Sequence, residues 1–120
     1  MAELNVIGAT RNVQYIPVTP DKVPYTFSIK LEDRTYTMTL KYNSAGGFYT
    51  VDLAITATGE TLCYGDPIRY GRPLFRSIED DRYPIPAIVP YCLEGRETEV
   101  TKENFGKTVK LYLHERRMAE

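Results

Sequence analysis

The sequence predicts an all-β, single-domain fold, an antiparallel sandwich or partly open barrel built on a central meander. Three observations carry that prediction. Between residues 25 and 55 apolar side chains recur at every second position, the period of half-buried antiparallel strands and not of helices. The alternation breaks at "EDR" and "NSAGG", short runs of residues that favour chain reversal. Elsewhere, short apolar segments separated by Gly and Pro bring the total to about seven strands, the pattern of a sandwich or barrel.

The ordered part opens with "VQYIPVTP", where Val13, Tyr15 and Pro17 share one face of a short strand. Pro17 and Pro20 donate no backbone hydrogen bond, so this strand is expected at a sheet edge or to end early. "DKVP" reads as a loop. In "YTFSIKLE", Tyr25, Phe27, Ile29 and Leu31 share one face, and Thr26, Ser28 and Lys30 the other. "RTYTMTLKYN" repeats the pattern, with Tyr36, Met38, Leu40 and Tyr42 inward and Thr35, Thr37, Thr39 and Lys41 outward. The Thr-rich outer face suits a strand, because β-branched side chains pack well on a pleat. In "NSAGG", Gly46 and Gly47 tolerate positive φ and Asn43 can bond local backbone. "GFYTVDLAIT" returns with Tyr49, Val51, Leu53 and Ile55 on one face.

After the turn "ATGET", "TLCYG" reads as a short strand. The following Gly65, Pro67, Gly71 and Pro73 prevent a long regular one. "AIVPYCLEG" reads as a strand with Pro90 at an edge or bulge. "RETEVTKENFG" reads as a polar loop with one helical turn at "TKENFG". "KTVKLYLHE" reads as the closing strand, with Val109, Leu111 and Leu113 on one face and Lys110, Tyr112 and His114 on a solvated one. Residues 1–12 are expected to form a flexible N-terminal segment, residues 13–115 the β-domain and residues 116–120 a flexible C-terminal tail.

Charge and composition restrict function. Fifteen basic residues face sixteen acidic ones in 120 residues, which suits one domain with one core. A nucleic-acid binder draws affinity from a basic excess, so nucleic acid is not an expected partner. Ten Tyr and no Trp suit half-buried strand faces and contact surfaces. No apolar run approaches the roughly 20 residues of a membrane helix, and the N-terminus does not read as a signal peptide. These features alone imply a cytoplasmic protein with Cys63 and Cys92 reduced, although spacing leaves a disulfide between them open.

The chemistry on offer is sparse. Two cysteines and one histidine do not make the four-ligand set of a structural zinc site. His114 has only Glu115 as a sequence neighbour to orient it, and in a strand that residue points to the opposite face. Cys63 or Cys92 as a nucleophile would need that same imidazole as its base. Glu79, Asp80 and Asp81, flanked by Arg76 and Arg82, fit a solvated loop with local ion pairs better than a calcium site, where six or more oxygens converge. No Ser lies in a nucleophile elbow. The chain is therefore expected not to be an enzyme, and no cofactor is expected.

"GDPIRYGRP" lacks the Gly-Lys-Ser/Thr end of a phosphate loop. It reads either as a bent segment crossing the sheet's edge or as a contact loop, in which Arg69, Tyr70 and Arg72 are residue types enriched at interfaces. These three are the candidate partner-contact residues.

Taken in order, the segments match a family pattern. An "IP(L/V)" strand falls at residues 16–18 and a "y-l-l-(r/k)-(y/w)-N" strand at residues 36–43. A glycine-bounded aromatic strand ending at Asp52 begins at Gly46, and a "G-x-x-(L/I)" turn falls at residues 59–62. A "G-x-P-(I/L)-x-x-G" loop occupies residues 65–71, and "N-(F/L)-G-x-x-x-x-L-Y" occupies residues 104–112. This layout resembles the small baseplate plug family of contractile-tailed cyanophages, with Tyr where the family commonly has Trp.

The resemblance implies a structural protein of a phage, prophage or tailocin tail baseplate. Such a plug or hub component fills or bridges the central region where tube and spike meet. It implies partners among the tail hub, tube or spike proteins, and a place in the virion after assembly in the host cytoplasm. It also implies action as a homo-oligomer or as a copy held on a ring by many weak contacts. The alternative is a carbohydrate-binding β-sandwich used in host attachment, with Tyr faces stacking on sugars and Asp52 or Glu60 bonding hydroxyls.

Overall fold

The structure, a computed structural model, describes residues 3–10, 13–31, 34–75 and 87–114. The period-two stretch forms three long antiparallel strands: β4 (Tyr25–Leu31), β5 (Arg34–Asn43) and β6 (Phe48–Ile55). Their register stacks the apolar faces, with Met38 opposite both Phe27 and Leu53 and Leu40 opposite both Tyr25 and Val51. Phe27, Ile29, Met38, Leu40, Val51 and Leu53 are all fully buried. Each such side chain contributes about 1.5–3 kcal/mol by leaving water. The opposite face carries hydroxyl pairs, Thr26 with Thr39 at 2.9 Å and Thr37 with Thr56 at 2.7 Å.

The reversal at "NSAGG" is built as its residues suggest. Asn43 Oδ1 accepts the Gly46 N–H at 2.9 Å, and its backbone oxygen accepts that of Gly47 at 2.7 Å. Gly47 takes φ +76°, a region that costs glycine little.

Two sheets share the core. The five-stranded sheet has the order β1 (Glu3–Asn5), β4, β5, β6, β7 (Thr61–Pro67), and the four-stranded sheet has the order β2 (Gly8–Thr10), β3 (Val13–Ile16), β9 (Lys110–His114), β8 (Ala87–Tyr91). Ile16, Ile88 and Leu111 of the smaller sheet join Phe27, Met38 and Leu53 of the larger in one buried cluster. The result is an all-β sandwich whose two sheets do not close into a barrel. No α-helix occurs among the described residues, only a 3-10 turn at Pro20–Lys22.

Several details differ from the sequence reading. Strands β1 and β2 lie within residues 1–12 and were not expected. β1 pairs parallel with β4, against the antiparallel rule of the rest. Three residues each of mixed composition carry too little pattern to read. β3 does end before Pro17, but it lies inside its sheet between β2 and β9, and Ile16 turns to the core while Tyr15 faces out.

The outer face of β9, expected to be solvated, instead carries an aromatic row. Tyr15 meets Tyr112 edge-on at 6.1 Å, Tyr91 lies 4.5 Å from Tyr112, and Tyr91 stacks on His114 at 5.5 Å. Tyr112 is buried beneath its neighbours although it points away from the core. Lys110 Nζ sits 4.4 Å above the Tyr15 ring. Cross-strand aromatic pairs stabilise a sheet without a second layer.

The acidic run Glu79 to Asp81 with Arg76 and Arg82, the "EDR" turn residues 32–33, and Glu115 lie outside the described residues.

Candidate functional site

The segment 68–74 crosses from one sheet to the other. Its first residue extends the β6–β7 pairing, the Ile68 N–H donating to Tyr49 O at 2.9 Å. Its later residues run along the free edge of β8, where Gly71 N–H donates to Pro90 O at 2.7 Å and Leu74 N–H to Ile88 O at 2.8 Å. Ile68 and Leu74 are buried anchors. Gly65, inside β7 where the β6–β7 register shifts, and Gly71, on the crossing segment, hold φ of +66° and +76°, left-handed positions that cost glycine little. The covered edge of β8 also explains how a strand containing Pro90 is tolerated there.

Two carboxylates brace this corner. Asp52 Oδ1 accepts the Gly65 N–H at 2.7 Å and its Oδ2 pairs with Lys41 Nζ at 3.0 Å. The proposed sugar-bonding role of Asp52 would therefore compete with bonds the fold already makes. Asp66 Oδ2 accepts the Phe75 N–H at 3.0 Å, where Phe75 holds φ +57°. Burial pushes the Asp66 carboxyl above its usual range, and the bond from Phe75 partly offsets this.

Arg69, Tyr70 and Arg72 lie on this crossing segment. Arg69 and Arg72 are exposed and Tyr70 is half-buried. The Arg72 N–H donates to Arg69 O at 3.1 Å, so a tight turn keeps the two arginines together. The Arg69 guanidinium lies over the Phe48 ring, 4.2 Å from its centroid, a cation–π contact. Tyr70 faces inward enough for its hydroxyl to accept the Cys92 N–H at 3.0 Å, so it ties the segment to the chain leaving β8.

Beside these residues is a cleft of about 320 Å³, walled on one side by Phe48, Arg69 and Arg72 and on the other by Thr98, Glu99 and Val100. A second hollow, of about 160 Å³, is lined by the same two arginines together with Asp66, Pro67 and Pro73. Arg69 and Arg72 thus line both hollows.

The second wall is held by a buried amide. Asn104 Nδ2 donates to Glu97 Oε1 at 3.1 Å and to Glu99 O at 2.9 Å, while Asn104 Oδ1 accepts the Thr101 N–H at 2.8 Å. Thr108 Oγ1 donates to Glu97 Oε2 at 2.7 Å. The bonds from Thr108 and Asn104 hold the Glu97 carboxyl below its usual range. Phe105 is fully buried against Tyr49, with ring centroids 4.6 Å apart. Gly106 holds φ +82°, and a Cβ there would lie 3.0 Å from Val18 Cγ2 and 3.1 Å from Val18 O. The expected helical turn at "TKENFG" is a single closed turn, the Phe105 N–H donating to Thr101 O at 3.0 Å.

The sequence reading singled out the arginines but not Phe48 or the 98–100 wall. Residues 48 and 98–100 are far apart in the chain, and no local pattern joins them. The signal that bore on the wall was the "N-(F/L)-G" motif, whose three residues each have a fold-locking task.

The remaining reactive groups are spread out. Both cysteines are free thiols, Cys63 half-buried and Cys92 buried. Burial pushes the Cys63 thiol up, and the Asp66 and Asp52 carboxylates push it further, so it is held in the poorly nucleophilic protonated form. His114 is exposed and stacked on Tyr91. No group of three or more His, Cys, Asp or Glu able to hold a metal occurs among the described residues, and no helix among them is long and apolar enough to cross a membrane.

Residues 13–116 match the model of a protein family described as cyanophage baseplate Pam3 plug gp18. No match was found among curated proteins.

Proposed function

Because the chain belongs to the cyanophage baseplate Pam3 plug gp18 family, we propose that it is a non-catalytic structural component of a phage tail baseplate, filling or bridging the central region between tube and spike. The observation that carries this reading is the match across residues 13–116, which takes in all but the first two strands of the sandwich. On this reading the chain acts by shape. It is assembled in the host cytoplasm and held in the virion by contacts with hub, tube or spike proteins.

The fold is suited to such work. The sheet-crossing segment 68–74 is anchored at Ile68, Tyr70 and Leu74, while Arg69 and Arg72 are turned outward. A rigid segment that presents exposed arginines beside a cleft loses little conformational entropy on docking, and arginine is a residue type enriched at interfaces. We assign the partner contact to this corner, with Arg69 and Arg72 as its contact groups and Tyr70 as the residue that positions them.

The test is co-purification. The tagged chain, expressed with the hub, tube and spike proteins of the same tail, should retain at least one of them through washing. Absence of all three, together with infectious particles after deletion of the gene, would overturn the assignment.

A further inference from the structure

We infer that the cleft between Arg69, Arg72 and the 98–100 wall is a receptor for a carboxylate-bearing segment of a partner protein, an exposed run of Asp or Glu side chains. The inference rests on the structural role just proposed and names the chemistry of the contact.

Arg69 and Arg72 make no ion pair among the described residues, although acidic side chains are present on both sides of them. Asp66 turns one oxygen to the Phe75 N–H, and Glu97 is engaged by Asn104 and Thr108. Asp66 and Glu97 are thus engaged by backbone and side-chain donors, and Arg69 and Arg72 stay exposed with no carboxylate partner among the described residues.

Arg69 is also oriented in advance. Its guanidinium carbon lies 4.2 Å above the centroid of the Phe48 ring, a cation–π contact that holds an exposed group at the cleft, and guanidinium N–H donors suit a planar bidentate acceptor. Arg72, three residues along the same turn, lines the same cleft. The opposite wall is braced by Asn104, so the gap has a defined width before anything enters it.

Among the described residues, Glu99 is the one acidic side chain lining the cleft. Against two guanidiniums it leaves the cleft net positive, on a chain whose formal net charge is −1. That combination separates an acidic protein segment from nucleic acid. A strand of phosphates would need a basic track along the surface, whereas a short acidic segment needs only the local pair.

The experiment uses the full chain, labelled with nitrogen-15 and titrated with an acetylated, amidated hexa-aspartate peptide. Inorganic phosphate, a hexa-lysine peptide and a dodecamer of deoxythymidylate are run in parallel. Saturable shifts are expected at the Arg69 and Arg72 side-chain Nε–H groups and at the Phe48 and Glu99 amides with hexa-aspartate alone. Arg69→Gln and Arg72→Gln should each weaken binding about tenfold, the size of one charge-assisted hydrogen bond. Both arginines are exposed, and unchanged melting of the variants confirms that the fold is intact.

Glu99→Gln removes the like charge and should tighten binding about two- to fivefold, the effect of one exposed charge pair. Shifts that do not saturate, that scatter over the surface, that are unmoved by the arginine variants, or that the deoxythymidylate produces more strongly would each overturn the inference. The structural role is read separately, from incorporation of the chain into tails. A chain that enters the baseplate but ignores hexa-aspartate sinks the receptor and spares the role. A chain that binds hexa-aspartate but stays out of the baseplate sinks the role.

Discussion

Asn104 Nδ2 donates to Glu97 Oε1 at 3.1 Å, and this bond joins the two ends of the loop that walls the cleft. The amide is nearly buried and makes three side-chain bonds, two to backbone groups. Removing it leaves the Thr101 N–H and Glu99 O without their side-chain partner. Asn104→Ala should therefore cost roughly 2–4 kcal/mol of stability, measured by urea unfolding. A loss within experimental error would show that the loop is not held this way.

Glu97 makes that loop sensitive to acid. Its carboxyl is held below the ordinary range by bonds from Thr108 and Asn104. The folded state thus binds the proton less readily than the unfolded one. The stabilisation is full above the unfolded glutamate value and is lost as pH falls through the lowered folded value. Asp66 acts with the opposite sign. Its carboxyl is raised by burial, so the folded state loses stability as pH rises from the unfolded aspartate value through the raised one. Asp66→Asn should stabilise the chain at neutral pH, because the amide oxygen still accepts the Phe75 N–H. Glu97→Gln should flatten the acid-side decline in melting temperature. Identical pH profiles for the wild type and both variants would contradict both assignments.

The meander supplies the core, and Leu40 lies at its centre with no exposure. Leu40→Ala should cost about 2–5 kcal/mol. Lys30, on the exposed face of the neighbouring strand, should tolerate alanine within about 0.5 kcal/mol. Chemical denaturation of the two variants side by side checks the face assignment.

Gly106 allows Phe105 to bury against Tyr49 while the chain passes Val18 and Pro20. A side chain there meets both a positive φ and close neighbours, so Gly106→Ala should cost about 1–3 kcal/mol. Calorimetry that shows no loss would mean that the backbone at this position can shift freely.

Tyr70 tests which parts of the crossing segment are structural. Tyr70→Phe keeps the ring but removes the acceptor of the Cys92 N–H, at a cost of about 0.5–1.5 kcal/mol. Arg72→Ala should leave the melting temperature unchanged. An equal loss in both variants would make Arg72 part of the fold.

Much of this fold could be read from residue order alone, and the reasons are physical. Phe27 and Met38 alternate with Thr and Ser, and Leu53 lies between Asp52 and Ala54, because one face of the larger sheet packs on the core and the other does not. Strands β4, β5 and β6 were legible for that reason. Tyr112 was misassigned because a tyrosine on an outward position reads as solvated, and only the pairing of β9 with β3 and β8 places Tyr15 and Tyr91 over it. β1 and β2 went unread because a strand of three residues shows no period. At the site, Arg69 and Arg72 stood out as interface residue types, whereas the cleft they border depends on packing between Phe48 and a loop some fifty residues distant. Asn104, Phe105 and Gly106 were visible as a motif, but their task emerged only with the bonds to Glu97 and Thr101 and the contact with Val18.

The central claim is that this chain works as a packed body at the axis of a tail. A cryo-electron microscopy reconstruction of the tail that carries it tests this most directly. Density fitting the two-sheet sandwich at the junction of tube and spike, with the Arg69–Arg72 corner against a neighbouring protein, is the predicted result. Density for the chain only at the periphery, on receptor-binding fibres, would contradict it.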